Sequence, residues 1–214
     1  DLDLPGYKPT TEPNPKMVQQ ASSLIKKSKK PILYVGGGII HSKANNELFE
    51  LATKFNIPVV TTLMGRGAFP DGHELCLEMP GMHGNYTATT SIQNADLLIA
   101  IGVRFDDRVT ANPSFFAQNA KVIHADIDPA EIGKVRDAQV PIVGDAKSVI
   151  KGLIEALGDE KLDTENWVSE LKEMKTAFPL SYKQEDKGPL KVPYVLEELQ
   201  KSVSYTHLRA HETQ

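Results

Sequence analysis

Residues 95–110 read ADLLIAIGVRFDDRVT, an unbroken apolar run that passes through a glycine into Arg104, Asp106, Asp107 and Arg108. Leu97, Leu98, Ile99, Ala100 and Ile101 show no polar alternation, so the run reads as a strand buried on both faces of a parallel sheet. Such a sheet needs crossover helices on its faces, which makes the fold α/β. Gly102 then turns the chain, and the charges after it stand at the carboxyl edge of the sheet, where open α/β sheets bind their ligands. Two arginines this close together suit an anionic group such as a pyrophosphate.

The same texture repeats on either side of that stretch. Residues 32–35 (after Pro31), 59–62, 122–126 and 141–143 read as further strands, with 75–78 as a weaker sixth. Helical spacing appears at Val18, Ala21, Leu24 and Ile25, stopping at the basic run 26–30, and again over 45–55, 86–93 and 146–157. Strand and helix alternate, which implies right-handed crossovers and a three-layer α/β architecture, five or six parallel strands with helices on both faces.

Punctuation sets the domain organisation. Residues 1–15 carry Pro5, Gly6, Pro9, Pro13 and Pro15 with little periodicity and read as a linker, ahead of one α/β domain over 16–160. Residues 161–190 read as a further helix, marked by Trp167, Leu171 and Met174, and a second linker broken by Gly188 and Pro189. Val195, Leu196 and Leu199 start a helix at 191–201 that reads as the beginning of another domain. The end, 202–214 (SVSYTHLRAHETQ), matches neither the core pattern nor a helix face and reads as a non-native tail, so His207 and His211 receive no functional weight.

With 214 residues, 40% apolar content and a formal charge of -4, the chain can bury one full core but has no electrostatic reason to meet nucleic acid or an anionic membrane. No apolar stretch approaches the roughly 20 residues of a membrane span. The start, DLDLPGYKP, has neither an initiator Met nor a signal-peptide pattern and reads as a piece of a longer chain. The lone Cys76 excludes an internal disulfide, offers no metal cluster and fits a reducing, cytoplasmic setting. A small ligand is the expected partner.

Candidate ligand residues cluster at strand ends. Gly36, Gly37 and Gly38 follow the strand at 32–35, where a missing Cβ lets backbone N–H groups approach a phosphate; a tight turn without a ligand would also use them. As a dinucleotide fingerprint the run is incomplete, since His41 holds the third glycine position and Phe55 and Asn56 stand where the acidic residue belongs. Asp126 closes a strand and can accept hydrogen bonds from ribose hydroxyls. Asp128, Pro129, Ala130 and Glu131 have the form of a capping box and mark a helix start, which assigns Asp128 to structure. Asp145 is either a ligand residue or the cap of the helix at 146–157. Gly81, Met82, His83 and Gly84 form a flexible loop suited to packing against something flat, and Thr61, Thr62 and Leu63 end the second strand on the same edge.

Together, YVGGGI (34–39), TTLMGRGAFP (61–70), GMHGN (81–85), GVRFDDRVT (102–110), HADIDPAEIGK (124–134) and GDA (144–146) closely resemble the middle domain of the acetohydroxyacid synthase (acetolactate synthase) catalytic subunit, over about residues 1–201. The resemblance implies a Rossmann-like central domain of a thiamine-diphosphate enzyme, a six-stranded parallel unit that holds FAD. On that basis Gly36, Gly37, Gly38 and Arg104 would lie near the FAD phosphates, and Thr62, Leu63, Gly81, Met82, His83 and Gly102 along the cofactor's path. Asp106, Arg108 and Val109 would form the same wall, and Asp126 and Asp145 would hold the adenosine end. The parent reaction would join two 2-oxo acids on thiamine diphosphate and Mg, feeding branched-chain amino-acid synthesis, in a homodimer with a possible small regulatory subunit. The family's cofactor-activating glutamate and its GDG metal motif belong to the flanking domains, and no GDG occurs in this sequence, so no catalysis is expected from this piece alone.

Overall fold

The buried runs assemble into one five-stranded parallel sheet in the computed structural model, which describes residues 8–185 and 187–202. The strands are β1 (Pro31–Val35), β2 (Val59–Thr61), β3 (Leu97–Ile101), β4 (Lys121–Asp126) and β5 (Val140–Val143), in the order β2-β1-β3-β4-β5. All five residues of β1 and of β3 are buried, as the lack of polar alternation requires. Val35 pairs with Thr61 and Ile101, Ile101 with Ala125, and Ala125 with Ile142. This level register brings Thr62, Gly36, Gly102, Asp126 and Val143 to one edge. The chain leaves β1 for β2 on one side and returns to β3 on the other, so the topological switch lies between β1 and β3.

Two apolar layers cover the sheet. One face carries α1 (Pro15–Ile25), the short α2 (Gly37–His41), α3 (Asn45–Lys54) and, later in the chain, a helix over Ala146–Leu157; Ile25, Ile39, Leu48, Leu51, Ile150 and Leu153 pack there against Leu33, Ile99 and Ile123. The other face carries α4 (Tyr86–Asn94), whose Ala88 and Ile92 meet Ile32, Tyr34, Leu98 and Val122. A single turn, α5 (Asp107–Thr110), follows β3, and α6 (Ala146–Leu157) follows β5. Helix starts follow local capping: Asn14 accepts the Lys16 N–H at 2.9 Å ahead of Pro15, and Asn85 accepts that of Ala88 at 2.7 Å.

The structure differs from the sequence expectations in two places. Residues 75–78 do not form a sixth strand. They hydrogen-bond along the β2 edge, Leu77 N–H to Val59 O at 2.9 Å and Thr61 N–H to Glu78 O at 2.9 Å, but Glu78 turns to φ +67° and ends the run. The capping box at 128–131 opens no helix. Asp128 Oδ1 does accept the Ala130 N–H at 2.9 Å, yet Gly133 at φ +76° and the lack of an apolar stripe leave only turns before β5. The helix expected in the connecting segment, α7 (Glu165–Ala177), packs on the α4 face, with Trp167 and Leu171 each 1% exposed and Trp167 Nε1 donating to Pro31 O at 3.2 Å.

The chain divides into two compact units, Asp1–Phe178 and Pro179–Gln214. The second contains α8 (Val192–Ser202), which has no buried residue, and a hydrogen bond from the Tyr182 hydroxyl to Glu197. Of the expected linker and tail, residues 1–7 and 203–214 lie outside the described residues. The linker's end is tied down: Thr11 O accepts the Asp145 N–H at 2.8 Å. Among the described residues no helix is long and apolar enough to cross a membrane.

Candidate functional site

A groove of about 940 Å³ opens along the carboxyl edge of the sheet, spanning the ends of all five strands. Its middle is built by glycines. Gly102 holds φ +61°, and a Cβ on it would lie 2.6 Å from Gly38 Cα; a Cβ on Gly36 would lie 2.3 Å from Gly102 O. The Gly36 N–H donates to Ile101 O at 3.2 Å and that of Gly38 to Gly102 O at 3.3 Å. Gly36 and Gly38 are thus required by the close approach of two backbones at the β1–β3 switch. Gly37 and Gly38 line the groove, and Gly36, buried beneath them, does not.

The loop after β3, the middle strand, supplies the positive charge. Asp106 caps α5, accepting the Arg108 N–H at 3.0 Å, which turns Arg104 and Arg108 outward into the groove lining. Arg104 has no ion pair or side-chain hydrogen bond among the described residues, and the nearest carboxylate oxygen to Arg108 is that of Asp107, at 3.8 Å from Nε. Both guanidinium groups can therefore receive an anion. The Arg108 N–H holds the Asp106 carboxyl below its ordinary range, with the Arg104 and Arg108 charges adding to the effect. Phe105, buried between these charges, adopts φ +53°, an uncommon backbone conformation for a bulky residue.

Beyond β4 and β5 the lining turns acidic, with Asp126, Asp128, Glu131 and Asp145. Each aspartate is oriented by backbone N–H groups of its own turn. Asp126 Oδ1 accepts from Asp128 N at 2.9 Å, and Asp145 Oδ1 accepts from Lys147 N at 2.9 Å and Ser148 N at 3.4 Å. The capping reading of Asp145 thus holds, and the residue also borders the groove; the two readings do not exclude one another.

Of the remaining residues singled out from the sequence, Thr62, Leu63 and Val109 line the groove, Leu63 with 69% of its surface exposed. Gly81, Met82 and His83 stand outside the lining, and the backbone of Gly81 and Met82 packs behind its arginine wall. The Met82 N–H donates to Arg108 O at 3.3 Å, and a Cβ on Gly81 would sit 2.6 Å from the same oxygen. Met82 is 75% exposed.

Sequence reasoning missed several lining residues: Tyr34, His41, Ser42, Met64, Phe105, Ile127 and Glu131. A signal existed for Tyr34, the sole polar handle in an otherwise apolar strand. Its hydroxyl is buried without a partner among the described residues, a cost of about 1–3 kcal/mol, and burial together with the Asp106 carboxylate raises the phenol above its ordinary pKa. His124, 1% exposed beneath the loop, joins two walls through ring nitrogens, Nε2 lying 2.8 Å from Val103 O and Nδ1 3.4 Å from Gly133 N. Burial pushes its pKa down, which favours the neutral ring that such a donor–acceptor pair requires. Among the described residues there is no cluster of three or more His, Cys, Asp or Glu able to hold a metal.

Comparison with known proteins adds a lineage to this geometry. Residues 18–153 match the family model described as thiamine pyrophosphate enzyme, central domain. The chain is 53% identical over 202 residues to the acetolactate synthase of Mycobacterium avium, covering 92% of this chain and 32% of that protein. It is 51% identical to the acetolactate synthase large subunit of Corynebacterium glutamicum (94% and 33%) and 42% identical to that of Buchnera aphidicola (96% and 37%). The chain spans about a third of the length of these relatives.

Proposed function

Because this chain belongs to the thiamine pyrophosphate enzyme central-domain family, we propose that it is the FAD-holding domain of an acetolactate synthase catalytic subunit. The observation that carries the FAD reading is the polarity of the groove: two guanidinium groups without strong partners after its middle strand, oriented carboxylates at the β4–β5 end. A dinucleotide needs that division. Its pyrophosphate takes Arg104 and Arg108 as donors, while ribose hydroxyls and the adenine amino group donate to Asp126 and Asp145. Five strands about 4.8 Å apart make an edge of about 19 Å, room for an extended dinucleotide rather than one mononucleotide. A groove of about 940 Å³ also lies within the usual size of ligand clefts.

In this reading Gly37 and Gly38 bring backbone close to the phosphates, Thr62 and Leu63 border the cofactor's path, and Asp106 orients the arginine turn. Gly36 and Gly102 shape the floor, while Gly81, Met82 and His83 support or flank the flavin end. The whole enzyme would convert two pyruvates and a proton to 2-acetolactate and CO2. Thiamine diphosphate with Mg would supply the electron sink, and FAD would be redox-silent because the reaction is redox-neutral. The residues that hold thiamine diphosphate would come from the remaining domains, a partner subunit would complete a homodimer, a small regulatory subunit would be a further partner, and the setting would be the cytoplasm.

Titration of the chain with FAD, ADP and NAD, followed by calorimetry and flavin fluorescence, tests the reading. FAD should bind more tightly than ADP, and NAD weakly or not at all. Binding of NAD alone would assign the groove to a redox dinucleotide domain, and equal affinity for FAD and ADP would reduce it to a nucleotide scaffold.

A further inference from the structure

Tyr34 is the one buried orphan bordering the groove among the described residues. The other side-chain atoms buried without a partner, in Glu47, Thr87, Arg136 and Thr164, lie away from it. Tyr34 is 0% exposed, and its ring is fixed edge-on against Phe105 with centroids 5.6 Å apart. Burial and the nearby Asp106 carboxylate keep the phenol neutral, so the hydroxyl is a donor at working pH.

Strand order decides which half of an elongated occupant it meets. Asp126 ends β4 and Asp145 follows β5, both on one side of β3, whereas Tyr34 lies in β1 on the other side. The two regions also belong to opposite faces of the sheet: Tyr34 packs in the α4–α7 layer, and Ala146 in the layer of α1, α3 and α6.

We propose that Tyr34 is a positioning residue whose hydroxyl donates a hydrogen bond to an acceptor on the non-adenosine half of the bound dinucleotide, a ring carbonyl or ring nitrogen of the flavin. This rests on the FAD reading above. The segment that must give way slightly is at hand: Phe105, packed on the Tyr34 ring, holds φ +53°, a conformation with a lower-energy alternative. The orphaned donor is then satisfied by the ligand, and the free chain carries the cost of its pre-positioning.

Tyr34→Phe keeps the ring and removes only the donor. In the 214-residue chain, FAD should bind about 3- to 10-fold more weakly to the variant, the bound flavin's visible absorption bands should move back toward their free position, and ADP affinity should stay unchanged. The ligand-free thermal midpoint should hold or rise, because an unsatisfied buried group has been removed. Unchanged FAD affinity and spectrum would overturn the proposal. So would an equal loss for ADP, or a lowered midpoint with an unchanged spectrum, which would make the hydroxyl structural. Wild-type protein that took up ADP but not FAD would overturn the flavin reading itself, and the proposal with it.

Discussion

The groove's acidic and basic regions are held in opposite ways. At the acidic end Asp126, Asp128 and Asp145 each spend one carboxylate oxygen on backbone N–H groups within three residues, so their direction is set before any ligand arrives. In the basic region Arg104 and Arg108 are exposed and nearly unpartnered, and only the backbone that carries them is fixed, through Asp106. The acidic end therefore supplies orientation at little entropic cost. The basic region supplies charge and must order two long side chains on binding, which offsets part of the gain. Beside the arginines, on the β1 side, lies the glycine junction, where Gly36, Gly38 and Gly102 leave no room for a single methyl group.

The largest predicted effect breaks the glycine junction. Gly102→Ala forces a Cβ to 2.6 Å from Gly38 Cα at φ +61°, and should lower unfolding free energy by about 3 kcal/mol in denaturant titrations. A loss below about 1 kcal/mol would mean that the two loops can part without cost. Next, Arg104→Ala should weaken FAD by about 10- to 100-fold with no change in unfolding midpoint, as expected for an exposed charge that meets only ligand. Asp128→Ala should weaken FAD much less; equal losses would show that the basic region is not where the phosphates sit. Asp145→Ala should act on both properties. It removes the α6 cap, at about 1 kcal/mol of stability, together with an acceptor for the ligand, so FAD should recover less of the lost melting temperature than it does for other destabilised variants.

The smallest effect concerns the wall between the two regions. The folded protein depresses the His124 pKa below its unfolded value of 6.5, so the unfolded chain takes up the proton first. Stability from this group is complete above pH 6.5 and is lost progressively as the pH falls below that value toward the folded pKa. His124→Asn should flatten this part of the stability–pH curve at some cost in overall stability. A curve unchanged by the substitution would remove His124 from the acid response.

Much of the fold was legible because β1, β3 and β4 are buried on both faces, and a central parallel strand has no reason to alternate. The groove's lining was legible where a charge closes a strand or follows it within a few residues, as with Arg104, Asp126 and Asp145. What escaped depends on contacts distant in sequence. Gly36 and Gly38 are explained by Gly102, which no local pattern connects to them. Tyr34 hides among apolar neighbours because its burial is settled by Phe105 and its unmet hydroxyl by what is missing around it. The turn at 128–131 carried a genuine capping signal, but a cap stabilises a helix only when an apolar face lets that helix pack.

In the proposed complex one ligand bridges these two regions, phosphates on the arginines and ribose on the carboxylates. A crystal structure of the chain grown with FAD tests it most directly. The account predicts pyrophosphate oxygens within hydrogen-bond reach of Arg104, the adenosine ribose against Asp126 or Asp145, and the flavin ring on the Tyr34 side of β3. A pyrophosphate beside the carboxylates, or an adenosine on the Tyr34 side, would contradict it.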